Sequence, residues 1–125
     1  TFSYFDSGKN PSMETQPERF YHGFVLGLAV ELSERYIITS NRESGFGRYD
    51  VLMEPKNGTD NAVIMEFKVK DSEEGTLKET AEAALEQIEH RKYGTVLESR
   101  GIAPERIRKY GFAFEGKEVL IKSKE

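Results

Sequence analysis

Glu43-Ser-Gly-Phe-Gly-Arg-Tyr-Asp50 and, after a polar loop, Ile64-Met-Glu66-Phe-Lys68-Val-Lys70 form the stretch whose reading decides the fold. In an extended chain alternate side chains point to opposite faces, so Glu66 and Lys68 emerge together while Met65, Phe67 and Val69 face the other way. Between the two segments lies Pro55-Lys-Asn-Gly-Thr-Asp60, whose Asn-Gly is a strong hairpin signal. Arg48 to Glu54 and Ala62 to Lys70 are therefore expected to pair antiparallel, which sets Asp50 against Glu66 and Lys68. Two carboxylates and one ammonium sharing a pocket suit a hard divalent cation held through oxygen, with a positive charge beside an attacked phosphate.

Working outward toward the N-terminus, Tyr36-Ile-Ile-Thr39 is β-branched and aromatic and reads as a first strand. Before it, Phe20, Phe24, Leu28 and Leu32 recur every four residues and predict a helix from Thr15 to about Tyr36. Thr15-x-x-Glu18 forms a capping box at its start, with Pro17 tolerated in the first turn. Gly23 and Gly27, one turn apart, suggest close packing against a neighbour. Residues 1–14 have no sustained period and read as a lead-in, leaving 15–125 as one domain.

Toward the C-terminus, Leu77, Ala81, Ala84, Leu85, Ile88 and Lys92 trace a helical stripe that ends before Gly94 or runs on to about Ser99. Gly101 to Glu105 is a break with room for one helical turn, and Tyr110 to Phe114 and Val119 to Ile121 close the chain as a hairpin. The order α-β-β-β-α-β-β predicts an α/β sandwich: a mixed central sheet flanked by helices.

With 125 residues the chain is the size of a single domain with a real core. It has no cysteine, which rules out disulfides and thiolate metal sites and agrees with a reducing, cytoplasmic setting. No apolar run approaches the roughly 20 residues that span a bilayer. A net charge of -4 argues against tight, non-specific nucleic-acid binding but is compatible with an enzyme whose metal supplies the local positive charge. No phosphate-binding Gly-x-x-x-x-Gly-Lys-Ser/Thr occurs, and two histidines without cysteine make a poor structural zinc site. The chain begins at Thr1 rather than at methionine, and it is expected to be a piece of a longer protein.

Asp50, Glu66 and Lys68 have two readings. A Glu-x-Lys pair on a strand is often a solvated face or a structural ion pair. The Glu66 segment also carries Val63 and Ile64, however, and looks like a central strand, where charges are costly unless paired or metal-bound. Counting about 100° per residue from Glu18, the apolar stripe of the first helix centres near 260°, with Glu18 at 0° and His22 at about 40°. Both flank the core and are candidates for the site, although the capping box also accounts for Glu18 and His22 has a structural reading. Gln87 lies at the edge of the second stripe, next to Ala84. Gly45 and Gly47 allow close backbone approach to a sugar-phosphate chain, with Arg48 on phosphate, or form a plain turn; Glu43 is a further acidic candidate. Arg91 reads as a phosphate contact or an exposed helix charge.

Asp50 followed by Glu66-x-Lys68 after a hairpin resembles the PD-(D/E)XK nuclease superfamily, and the element order is similar to its restriction-endonuclease-like αβββαβ core. Phe20-Tyr-His-Gly23, Ser40 to Asp50, Glu66-Phe-Lys-Val69, Ala84-Leu-Glu-Gln-Ile88 and Tyr110-Gly-Phe-Ala-Phe114 resemble a nuclease-like domain at the C-terminus of bacterial AAA-ATPase-like proteins. The resemblance implies that Asp50, Glu66 and the main-chain carbonyl of Phe67 coordinate Mg²⁺ or Mn²⁺ and that Lys68 orients or activates the attacking water. It also places Gln87 near that water or a site carboxylate, and it allows Glu18 or His22 to join from the first helix. Some members space this glutamine and a tyrosine four apart; here Arg91 holds that position and Tyr93 lies six away. The expected function is a metal-dependent nuclease acting on DNA ahead of RNA, tethered to an upstream ATPase-like domain. The alternative is an inactive nuclease-fold module that binds nucleic acid or a protein partner.

Overall fold

The computed structural model describes residues 16–42, 48–70 and 75–124, with the side chains of 16–18 and 42 left out of the description. The expected lead-in, the capping box, and Glu43, Gly45 and Gly47 lie outside the described residues. Helix α1 (Gln16–Leu32) leads into three strands, β1 (Tyr36–Arg42), β2 (Arg48–Pro55) and β3 (Ala62–Val69). Helices α2 (Leu77–Arg91) and α3 (Tyr93–Ser99) and a 3-10 turn (Pro104–Arg106) follow, and β4 (Ile107–Glu115) and β5 (Glu118–Ser123) complete the chain.

The five strands lie in sequence order in one sheet. Neighbouring strands are antiparallel except β3 and β4, which run parallel. A parallel neighbour demands a crossover long enough to return the chain to the start of the next strand, and α2 with α3 supplies it. Among the described residues no helix is long and apolar enough to cross a membrane.

The two faces of the sheet bury different material. On one, α1 packs Tyr21, with Phe24, Val25, Leu28 and Leu32, against Tyr49, Val51, Met53, Met65, Phe67, Phe112 and Phe114. On the other, α2 and α3 pack Leu85, Ile88 and Leu97 against Ala62 and Ile64. Gly111 allows this second approach: a Cβ there would sit 2.5 Å from the Ala81 carbonyl oxygen and 3.1 Å from the Ala84 Cβ. Because Gly111 pairs with Glu66 across β3 and β4, the closest descent of α2 is directly beside Glu66.

Four local expectations change. First, α1 ends at Leu32 rather than near Tyr36: the Arg35 amide bonds the Leu32 carbonyl at 2.9 Å in a turn. Tyr36 joins the strand, its hydroxyl donating to the Asn61 carbonyl at 2.7 Å. Second, the buried stripe of α1 is rotated toward Tyr21, while Phe20 is 39% exposed, because a strict four-residue row drifts by about 40° per step. Third, Gly27 is not a close-packing site, since an added Cβ would meet nothing within 4 Å. Fourth, Lys92 leaves the α2 stripe; it is exposed and adopts φ 61°, ψ 31° between the two helices.

The Asn57-Gly58 segment does connect antiparallel strands, through a loop wider than a two-residue turn. The Asn57 Oδ1 accepts from the Thr59 and Asp60 amides, both at 2.9 Å, a side-chain mimic of a backbone turn. Asp60 accepts from Arg35 Nε at 3.1 Å and Nη2 at 2.8 Å, which fastens this loop to the turn before β1.

Candidate active site

Antiparallel pairing places Asp50 directly opposite Glu66, and Arg48 directly opposite Lys68. Since i and i+2 share a face, all four side chains start from the face that α2 covers. Asp50 is 1% exposed and Glu66 is fully buried. Directly opposed positions have Cβ atoms about 5 Å apart, so the two carboxylates are neighbours in a region withdrawn from water. Lys68 is partly exposed, and the Arg48 side chain is 31% exposed with its Nε 3.9 Å from Glu66 Oε2. The site thus runs from a buried acidic floor to a cationic, solvent-facing rim.

Asp50 is held from three sides. The Asn41 Nδ2, opposite it on β1, donates to Oδ1 at 3.2 Å. The Tyr93 hydroxyl, from the start of α3, donates to Oδ2 at 2.9 Å. From the far side of the sheet the Tyr21 hydroxyl donates to the main-chain carbonyl of Asp50 at 3.2 Å. Burial, then the hydrogen bond to Asp50 and its charge, push the Tyr93 hydroxyl up to about 12, with Arg91 beside it pulling the other way. Burial also raises Tyr21, countered by its bond to Ser40 and reinforced by Asp50 and Glu66. Both phenols therefore keep their protons at neutral pH and act as donors.

The remaining sequence candidates fall as follows. Phe67 is in β3 between Tyr49 and Phe112, and its ring points into the aromatic core, stacked 4.6 Å from Phe112. Gln87 is partly exposed on α2, one turn past Ala84. Arg91 is partly buried at the end of α2, next to Tyr93. Glu18 and His22 ride on α1, the helix packed on the face opposite to the acidic floor; His22 is exposed, with its ring 5.6 Å from Tyr21.

Three residues that shape the site were not among the candidates. Tyr21 and Asn41 lie inside the quoted motifs, and counting the β1–β2 register would have set Asn41 against Asp50. Tyr93 had a weaker signal: its spacing from Gln87 is wrong for one helix, but the chain breaks at Lys92.

A family model for the PD-(D/E)XK nuclease superfamily matches residues 16–124. The chain belongs to the PD-(D/E)XK nuclease superfamily. No curated protein and no solved structure matches it. The mixed five-stranded sheet with helices on both faces is the restriction-endonuclease-like α/β fold of this superfamily, whose members are nuclease-type phosphodiesterases acting on nucleic acid. PD-(D/E)XK enzymes generally use divalent metals, so the fit of this site to such an ion can be tested on its donors. Among the described residues Asp50 and Glu66 are not joined by a third acidic or histidine side chain. Two buried, directly opposed carboxyl groups can both be ionised only with a positive partner, and an oxygen-seeking divalent cation is such a partner. Each Asp50 oxygen has capacity beyond its one hydrogen bond, since a carboxylate offers about four acceptor sites. The donor set fits a hard cation that keeps several of its waters.

Proposed function

We propose that this domain is a metal-dependent nuclease that hydrolyses phosphodiester bonds, DNA ahead of RNA, with Mg²⁺ or Mn²⁺ as cofactor. The observation that carries the reading is the direct opposition of Asp50 and Glu66 at the buried end of a site whose solvent-facing rim is Lys68 and Arg48. The cation would be held by Asp50, Glu66 and the Phe67 carbonyl, and it supplies Lewis acidity that makes water nucleophilic at neutral pH and offsets charge developing on phosphorus.

The protein's own part is positioning. Asn41 and Tyr93 fix the Asp50 carboxylate, and the β2–β3 register fixes Glu66 against it. Lys68, two residues from Glu66 on the same face, orients the attacking water and sets a positive charge beside the attacked phosphate. Arg48, facing Glu66 and partly open to solvent, contacts a phosphate oxygen in this reading, with Arg91 a second such contact. Gln87, on α2, is a further contact to the water or a site carboxylate in this proposal. Glu18 and His22, carried on the helix across the sheet from the acidic floor, are given no part in the cation site here, while Gly45 and Gly47 stay proposed substrate contacts.

A second reading, a non-catalytic nuclease-fold module serving an upstream ATPase-like domain, draws on the Arg48–Glu66 pairing, since a resident guanidinium offsets part of the charge a cation would otherwise balance. The two separate in a cleavage assay on plasmid, single-stranded DNA and RNA with Mg²⁺ or Mn²⁺. The nuclease reading predicts metal-dependent cleavage of DNA that falls by about 100-fold or more in Asp50→Asn and Lys68→Ala. Equal trace activity in wild type and both variants would defeat it.

A further inference from the structure

We propose that Tyr93 is a positioning residue for the cation site, and that the helix break at Lys92 serves to deliver it; this rests on the reading of Asp50 as a cation ligand. The geometry of α2 makes the break necessary. Its sheet-facing stripe is Ala81, Ala84, Leu85 and Ile88, all buried. At about 100° per residue an unbroken helix would keep Lys92 near the centre of that stripe and send Tyr93 about 130° away from it.

The structure does the reverse. Lys92 takes the left-handed conformation, φ 61°, which a non-glycine side chain rarely adopts, and its amide closes α2 on the Glu89 carbonyl at 3.1 Å. Lys92 is exposed, and α3 starts at Tyr93 immediately after it. The seven residues of α3 are anchored by Leu97, which is fully buried against the Ile64 and Ile88 cluster. From that base the Tyr93 hydroxyl reaches Asp50 Oδ2, 43 residues back in the chain. A strained backbone angle and a buried anchor thus converge on one oxygen of one carboxylate. Asn41 holds the other oxygen, so the plane of the Asp50 carboxylate is determined before any cation arrives.

Removing such a supporting partner costs about 10-fold or more in metal affinity. Mn²⁺ titration by calorimetry on the intact chain tests this, with Asp50→Asn, Tyr93→Phe and Lys92→Gly beside wild type. Wild type is expected to bind, Asp50→Asn to lose binding, and Tyr93→Phe to bind about 10-fold more weakly with its cleavage recovered at high Mn²⁺. Lys92→Gly, which suits the left-handed angle, should keep wild-type affinity and so show that the position of the break, rather than the lysine, matters. If Tyr93→Phe binds Mn²⁺ as wild type does while Asp50→Asn does not, the positioning role is wrong and the cation site stands. If wild type binds no Mn²⁺, both the cation site and the role of Tyr93 fall. A Tyr93→Phe protein whose cleavage stays low at saturating Mn²⁺ would show a general structural defect and also overturn the proposal.

Discussion

On the α1 side of the sheet, β2 and β3 present Tyr49, Val51, Met65 and Phe67; on the α2 side the alternate residues of the same two strands are Arg48, Asp50, Glu66 and Lys68. The first set lies in a continuous aromatic cluster in which the ring of Phe67 meets Phe112 at 4.6 Å, Tyr21 at 5.2 Å and Phe114 at 5.9 Å. The second set withdraws two like charges from water and relies on small residues, Gly111, Ala81 and Ala84, to let a helix down beside them. The first set therefore stabilises the fold while the second costs stability to hold charge in place. The contrast teaches that in a two-residue period a strand can carry a core and a reactive site at once, because neither face has to compromise its chemistry for the other.

The largest effect should come from breaking the aromatic face. Phe67→Ala, at a 1% exposed position ringed by other aromatics, is expected to lower unfolding free energy by about 3–5 kcal/mol in chemical denaturation. On the other face Gly111→Ala forces a methyl against the Ala81 carbonyl, and a loss of about 1–3 kcal/mol is expected in the same measurement. It should also reduce cleavage, because Gly111 is the direct neighbour of Glu66.

Away from both faces, Gly27→Ala adds a methyl in open space on the exposed side of α1 and should raise stability by about 0.5–1 kcal/mol through helix propensity alone. The smallest effect concerns acid. Hydrogen bonds from Arg35 and then Asn57 hold the Asp60 carboxyl below its ordinary value of 3.8. A depressed folded-state value contributes stability that is present above 3.8 and is lost as pH falls through the folded value, because the unfolded chain then binds more protons. Thermal melts of Asp60→Asn across pH 5 to about 2 should therefore show a shallower acid decline than wild type.

Much of this contrast was legible in the sequence because it is written in a period of two. Asp50, Glu66 and Lys68 share a face by counting, and the Asn57-Gly58 loop made β2 and β3 neighbours whatever its exact conformation. A mixed sheet was expected from the element order, and the helical segment between β3 and β4 supplies the crossover that lets those two strands run parallel. Features set by departures from regular geometry were not legible. The four-residue row of Phe20, Phe24, Leu28 and Leu32 drifts around the helix, so the residue that reaches beneath Asp50 is Tyr21. A helix end before Gly94 was expected, but not the left-handed turn at Lys92, and the tyrosine it turns inward had the wrong spacing for a single helix. Hydroxyls that reach across the fold to one carboxylate leave no periodic trace.

The central claim is that the acidic face exists for phosphodiester hydrolysis and not for stability, and Glu66→Gln tests both halves in one protein. Neutralising a fully buried charge while keeping its shape is expected to leave unfolding free energy unchanged or about 1 kcal/mol higher, since the partly exposed Arg48 can turn to water. Cleavage of DNA with Mn²⁺ by the same preparation should fall by about 100-fold or more. A Glu66→Gln protein that unfolds readily, or one that retains the activity of wild type, would contradict the account.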